Sequence, residues 1–202
     1  MSNKIASLVA FPLASLFAAG AFAAAVVGQP APAFSVKDIA GKTVSLADFK
    51  GKTVVLEWHN FGCPFVQKHY NSGNMQGAQK YFSGQVAWLT VNSTEPGHQD
   101  YVKPAEIKKK LYEMGAVPNA YLMDESGEMG KAYGAKVTPH MFIIDGEGKV
   151  AYNGAIDDKR SADVKDIRTA KNFVIAALVD MKNGKPVANA SNAPYGCTIK
   201  YK

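Results

Sequence analysis

Residues 53–66 read TVVLEWHNFGCPFV, and the rest of the chain can be read outward from them. Val54 to Leu56 is a short apolar run of the kind that forms a buried strand. Gly62 then allows the backbone to turn, and Cys63 follows with Pro64 directly behind it. Proline suits the first position of a helix, where its missing N–H needs no partner. The order predicts Cys63 at a helix N-terminus, just past the end of a strand. Free N–H groups and the positive end of the helix dipole favour a thiolate there. The thiolate is the form of cysteine that attacks disulfides and peroxides. A cysteine simply packed in a core would be inert, but the sequence strand, glycine, cysteine, proline supports the reactive reading.

Upstream, Lys4 is the one charge in residues 1–25, an apolar stretch begins at Ile5, and small residues end it. Ala21-Phe22-Ala23 fits a small-x-small cleavage site, with Ala23-Ala24-Ala25 as a second choice, so residues 1–25 read as a secretory signal peptide. An uncleaved anchor is the competing reading, since the stretch is long enough to span a bilayer. Either way the remainder is exported, into the periplasm. Residues 26–186 suit one domain with one core, and 187–202 form a tail carrying the second cysteine.

The formal charge is +6, or +5 without Lys4, and the lysines are scattered apart from Lys108-Lys109-Lys110. With no basic stripe interleaved with aromatics, nucleic-acid binding is excluded as the main role. The lysine run reads as a solvated helix face. No later stretch is long and apolar enough to hold the cleaved chain in a membrane. The chain has two cysteines, Cys63 and Cys197, too few for a disulfide scaffold. They read as a redox pair or as two independent thiols.

Phe34–Asp38 and Lys42–Val44 are predicted strands about a turn, and Ser45 can cap a helical turn through Phe49. A helix follows Pro64 to Tyr70, and a second segment runs to Phe82. Val86–Val91 is a strand. Pro104–Met114 has Ile107, Leu111 and Met114 on one helical face. Ala120–Met123 is a short strand, and Glu125–Tyr133 holds a turn and one helical turn. Met141–Ile144 and Lys149–Tyr152 are strands joined at Asp145-Gly146-Glu147-Gly148. Arg168–Met181 is predicted as one long helix, ended by Asn183-Gly184. Alternating strands and helices imply an α/β sheet with helices on both faces.

With these pieces placed, the chain resembles the thioredoxin-fold redoxins of the AhpC/TSA superfamily. It is most similar to a peroxiredoxin-like subgroup with one N-terminal active-site cysteine. The resemblance rests on Gly28–Phe34, Cys63-Pro64-Phe65-Val66, Val137-Thr138-Pro139, Phe142-Ile143-Ile144-Asp145 and Gly196-Cys197-Thr198-Ile199-Lys200. It implies a thioredoxin-like α/β fold, with a mixed central sheet and an N-terminal β-hairpin extension. It also implies that Cys63 is the nucleophile, that Glu57 takes the place of a buried carboxylate, and that Thr138-Pro139 is a cis-proline loop packed on the active sulfur. Val66 stands where a Cys-x-x-Cys motif has its second cysteine, so Cys197 becomes the candidate resolving residue. The stretch from Pro186 to Cys197 spans up to ~40 Å when extended, enough to return to Cys63. Tyr195 and Ile199 are candidate anchors for the tail in an apolar groove.

Peroxiredoxins hold peroxide with a Pro-x-x-x-Thr-x-x-Cys stretch and a later arginine. Here those places hold Leu56, Asn60 and Pro139, which favours disulfide chemistry over efficient peroxide reduction. Among the remaining candidates, Glu57 in an apolar strand is expected to have a raised pKa and to shuttle a proton. His140 is expected near Cys63, where an imidazolium would favour the thiolate. Trp58, Thr138 and His140 are the candidate substrate-contacting residues, with Trp58 as core or pocket wall. His69 lies off the helical face of Cys63, which argues against a shared metal. The reading is therefore an exported thiol oxidoreductase without cofactor or metal. Its partners are a disulfide-bearing protein, or a small thiol or peroxide, and an electron-donor thiol protein. The alternatives are a thiol peroxidase, a copper-binding protein and a redox-inactive relative.

Overall fold

The computed structural model describes residues 24–202, so the predicted signal peptide lies outside the described residues except for Ala24 and Ala25. Those two already pack on the domain: the Ala25 N–H donates to Tyr133 O at 3.2 Å, and Asn153 Nδ2 donates to Ala25 O at 2.9 Å. The packed chain therefore starts slightly before the expected boundary at residue 26.

Strand β3 (Thr53–Trp58) lies in the interior of the sheet. It pairs in parallel with β4 (Val86–Asn92) and antiparallel with β7 (His140–Ile144). Beyond β4 lie β5 (Ala120–Met123), β1 (Ser35–Asp38) and β2 (Thr43–Ser45), and beyond β7 lies β8 (Val150–Gly154), giving the order β2-β1-β5-β4-β3-β7-β8. The β1–β2 hairpin is the predicted N-terminal extension, and β1 joins the sheet antiparallel to β5. A strand covered on both faces needs apolar residues at successive positions, which is why Val54, Val55 and Leu56 run unbroken.

Alternation along β3 divides the interior. Val54, Leu56 and Trp58 face one way, into a core with Leu89, Val91, Phe142 and two residues of α4 (Glu128–Tyr133), Met129 and Tyr133. Val55 faces the other way, with Trp88, Met141 and Ile143, under α1 (Pro64–Asn71) and α2 (Asn74–Tyr81). Helix α5 (Phe173–Lys182) covers the same face through Val174, Ala177 and Leu178. Helix α3 (Pro104–Glu113) buries Ile107 and Leu111 on Tyr121 and Met123.

Two expectations need correction. The long helix from Arg168 is two separate pieces: a 3-10 turn over Val164–Arg168, then α5 starting only at Phe173. Asn172 caps α5 by accepting from the Ile175 N–H, while Phe173 N–H donates to Ile156 O and Asp158 N–H donates to Lys171 O. That local pairing with 156–158 holds residues 171–172 extended, against their helical periodicity. The tail also contains an unpredicted strand. Cys197–Thr198, β9, pairs antiparallel with β6 (Val137–Thr138), with Thr138 opposite Cys197.

Candidate active site

Cys63 is the N-cap of α1, with extended backbone angles and Pro64 at the first helical position. Asn60 builds the turn before it. Its Oδ1 accepts from the Gly62 N–H at 2.7 Å, its carbonyl accepts from the Cys63 N–H at 3.2 Å, and its Nδ2 donates to Thr94 Oγ1 at 3.2 Å. The place that holds a threonine in peroxiredoxins is therefore occupied by an amide already committed to shaping the turn. The Cys63 thiol is only 2% exposed and donates to Thr138 O at 3.0 Å.

The Thr138–Pro139 peptide bond is cis, and the carbonyl on its N-terminal side is the one that receives the Cys63 thiol. The same short strand receives the tail. Gly196 approaches so closely that a Cβ there would lie 1.9 Å from Thr138 O, and its φ of +143° suits glycine alone. Ile199 N–H donates to Lys136 O at 3.1 Å, and Glu95 N–H donates to Lys200 O at 2.9 Å. Cys197 thereby packs against the cluster that contains Cys63. Both are free thiols, and Cys197 is the less buried of the two. Burial, followed by the hydrogen bond and charge of the neighbouring Cys63 sulfur, pushes the Cys197 thiol up. Both cysteines line a cleft of about 120 Å³ with His59, Asn60, Thr94, Asp100, Thr138 and Lys200 among its walls. That volume has room for only a few water-sized molecules at ~30 Å³ each.

Glu57 points to the face of α1 but is absent from the walls of this cleft. Its carboxylate accepts from Tyr70 OH and from Trp88 Nε1, each at 2.8 Å. Burial raises its carboxyl from 4.5 to about 7, and the hydrogen bonds from Trp88 and Tyr70 offset only part of that.

Two of the predicted substrate-contacting residues sit elsewhere. Trp58 is fully buried on the opposite face of the sheet, 5.2 Å from the Phe142 ring and 5.5 Å from that of Tyr133, and its Nε1 donates to Ser93 Oγ. It is core, with no free face for a substrate. His140 is the cross-strand partner of Trp58 and its ring packs, tilted, 4.4 Å from that of Phe142, so it too points away from α1. Its Nδ1 accepts from the Lys136 N–H and its Nε2 pairs with Asn153 Oδ1. Burial lowers its pKa to about 4, so the ring is neutral and supplies no imidazolium for Cys63. His59, one residue past the end of β3, is the histidine that lines the cleft. Its Nδ1 lies 3.0 Å from Tyr121 OH, and burial lowers its pKa to about 3. Among the described residues no group of three His, Cys, Asp or Glu side chains is placed to hold a metal ion.

A mixed sheet with helices on both faces, a cysteine capping the first helix after the central strand, and a cis-proline turn beside its sulfur together define a thioredoxin-fold protein. Residues 27–153 match the AhpC/TSA family, and the chain belongs to it. It is 30% identical over 131 residues to the thiol-disulfide oxidoreductase ResA of Bacillus thuringiensis, a match covering 61% of this chain and 66% of that protein. The chain thus matches just under two thirds of the length of such relatives. An uncharacterized conserved protein of Geobacillus kaustophilus shares the fold with a TM-score of 0.73 and 31% identity, over 88% of this chain and 93% of that one. The exposed lipoprotein thioredoxin of Streptococcus pneumoniae aligns with a TM-score of 0.50 and 25% identity, over 68% of this chain and 97% of its own.

Proposed function

We propose that this protein is an exported thiol-disulfide oxidoreductase in which Cys63 attacks and Cys197 resolves. The observation that carries the reading is the meeting of both cysteines at one residue: Thr138 accepts the Cys63 thiol and lies opposite Cys197 across the β6–β9 pairing. The Cys63 thiolate attacks a substrate disulfide, forming a mixed disulfide and expelling one thiolate. Cys197, losing its proton, then attacks the Cys63 sulfur, expelling the second substrate thiolate and closing a Cys63–Cys197 disulfide. Two electrons pass to the substrate, and an external thiol protein restores the pair. The order of attack agrees with the raised Cys197 thiol. Export is supported by the apolar stretch ending in Ala21-Phe22-Ala23. Among the described residues no helix is long and apolar enough to cross a membrane.

One observation favours peroxide as a second substrate. The cleft beside Cys63 admits a molecule of that size while the tail is docked. The reaction would leave a Cys63 sulfenic acid and water, and Cys197 would then close the same disulfide with release of a second water.

Reaction of the reduced protein with the aromatic disulfide 5,5′-dithiobis(2-nitrobenzoate) tests the central claim. Wild type should release both arylthiolates and end as an internal disulfide, seen by mass and peptide mapping. Cys197→Ser should stop as a Cys63–aryl adduct. A wild-type protein that stays labelled on both cysteines, with no internal disulfide, would refute it. Parallel turnover with hydrogen peroxide ranks the two oxidants.

A further inference from the structure

Behind the cleft, and separate from it, lies a buried polar cluster that the thiol chemistry does not explain. Lys68 and His69, on the second turn of α1, meet Asp157 from the loop after β8 and Tyr195 from the tail. Lys68 is 1% exposed, and its Nζ donates to Lys159 O at 2.7 Å and lies 3.4 Å from Asp157 Oδ2, an ion pair outside hydrogen-bond geometry. Tyr195 OH donates to Asp157 Oδ1 and lies 3.4 Å from Lys68 Nζ and 3.2 Å from His69 Nε2. Its ring packs edge-on against Phe65 at 5.8 Å, on the first turn of α1. Lys159 N–H donates to the same Asp157 Oδ1 at 2.9 Å.

Burying a lysine and an aspartate carries a desolvation penalty that packed apolar side chains of similar volume would avoid. What a charged cluster adds is direction, since only a hydroxyl at one point satisfies it. That point is two residues before Cys197, at most ~7 Å of chain. The other end of the cluster sits five and six residues after Cys63 on the same helix, ~8–9 Å along its axis. Both cysteines are therefore referred to one rigid element, α1: Cys63 as its N-cap, Cys197 through the tyrosine hydroxyl docked on its second turn.

From this we infer that Tyr195, held by Asp157 and Lys68, is a positioning residue that fixes the tail so that Cys197 stands ready to attack the Cys63 sulfur. The inference rests on the thiol-exchange function proposed above. It assigns to these residues the effective concentration of the resolving thiol. A tail anchored only by apolar contact and by the two-residue strand β9 would leave Cys197 free to sample positions away from Cys63.

The experiment compares wild type, Tyr195→Phe and Asp157→Asn, the second variant serving if the first fails to fold. Each is equilibrated with reduced and oxidised glutathione, and the ratio of internal disulfide to Cys63–glutathione mixed disulfide is read by mass. The expected result is a fall in that ratio on the order of tenfold, the worth of one hydrogen bond to a charged group. Loss of stability that leaves the protein folded, checked by circular dichroism of each variant, would not move it. If wild type forms the disulfide and both variants match its ratio, the positioning role is wrong while the thiol function stands. If wild type forms no internal disulfide, the functional reading fails, and the anchor is judged by iodoacetamide labelling of Cys197 in a Cys63→Ser background. Faster labelling in Tyr195→Phe supports the anchor, and an unchanged rate overturns it.

Discussion

Replacing Glu57 by glutamine isolates the energetic consequence of a carboxyl group sealed inside the sheet. In the folded protein burial raises this group from 4.5 to about 7. Below pH 4.5 it is protonated in both folded and unfolded chains and adds no pH dependence. As the pH climbs from 4.5 to 7 the unfolded chain loses the proton while the folded one keeps it, so stability falls. At 1.36 kcal/mol per pKa unit, the shift from 4.5 to about 7 amounts to about 3 kcal/mol, fully lost above pH 7. Glutamine cannot ionise, so Glu57→Gln should lack this decline. It will carry its own constant cost, because with the amide oxygen kept on the Trp88 N–H the N–H₂ faces Tyr70, whose hydroxyl must turn from donating to accepting. The informative quantity is the difference between the two proteins as a function of pH. Buried His59, His69 and His140, lowered to about 3, 4 and 4, oppose Glu57 by withdrawing stability as the pH falls below 6.5. Both proteins share that term, so it cancels. Urea unfolding of the reduced proteins from pH 4.5 to 8 should show the variant gaining about 3 kcal/mol on wild type across the range. A flat difference would mean that Glu57 is solvated, or paired with a charge, and the account of its burial would fall.

Gly196→Ala should release the tail: a Cβ placed 1.9 Å from Thr138 O cannot be accommodated without breaking the β6–β9 pairing. Iodoacetamide labelling of Cys197 should accelerate, with ~2 kcal/mol lost in chemical denaturation; wild-type labelling kinetics would refute the close approach. His140 should stay neutral at pH 6, since burial holds its pKa at about 4; a ¹⁵N NMR titration with an inflection above pH 6 would place the ring in solvent and restore it as a candidate neighbour of Cys63.

The local pattern around residue 63 determined a great deal. An apolar run, Gly62, Cys63 and Pro64 placed the cysteine at the N-cap of a helix after the central strand, because each of those residues constrains the backbone of its own neighbourhood. The strands from Val86 and Ala120, the hairpin at Asp145–Gly148 and the helix from Pro104 were legible for the same reason. Alternation along β3 was also legible: a Glu57 facing α1 requires Trp58 to face away, and Trp58 then carries its cross-strand partner His140 to the far side. Substrate contacts for Trp58 and His140 ignored that parity. Other features depended on partners distant in sequence. Residues 168–172 have helical periodicity, yet pairing with 156–158 keeps 171–172 extended. The tail has little strand propensity of its own; Cys197–Thr198 becomes a strand because Val137–Thr138 offers an unpaired edge and Gly196 has no side chain to obstruct it. Lys68 and Asp157 carry no signal along the chain, Tyr195 reads there only as an apolar anchor of the tail, and only the fold converges the three on one buried point. Sequence sets what each segment can do with its own neighbours, while the tertiary structure decides which backbone edges and charges must be satisfied by residues a hundred positions away.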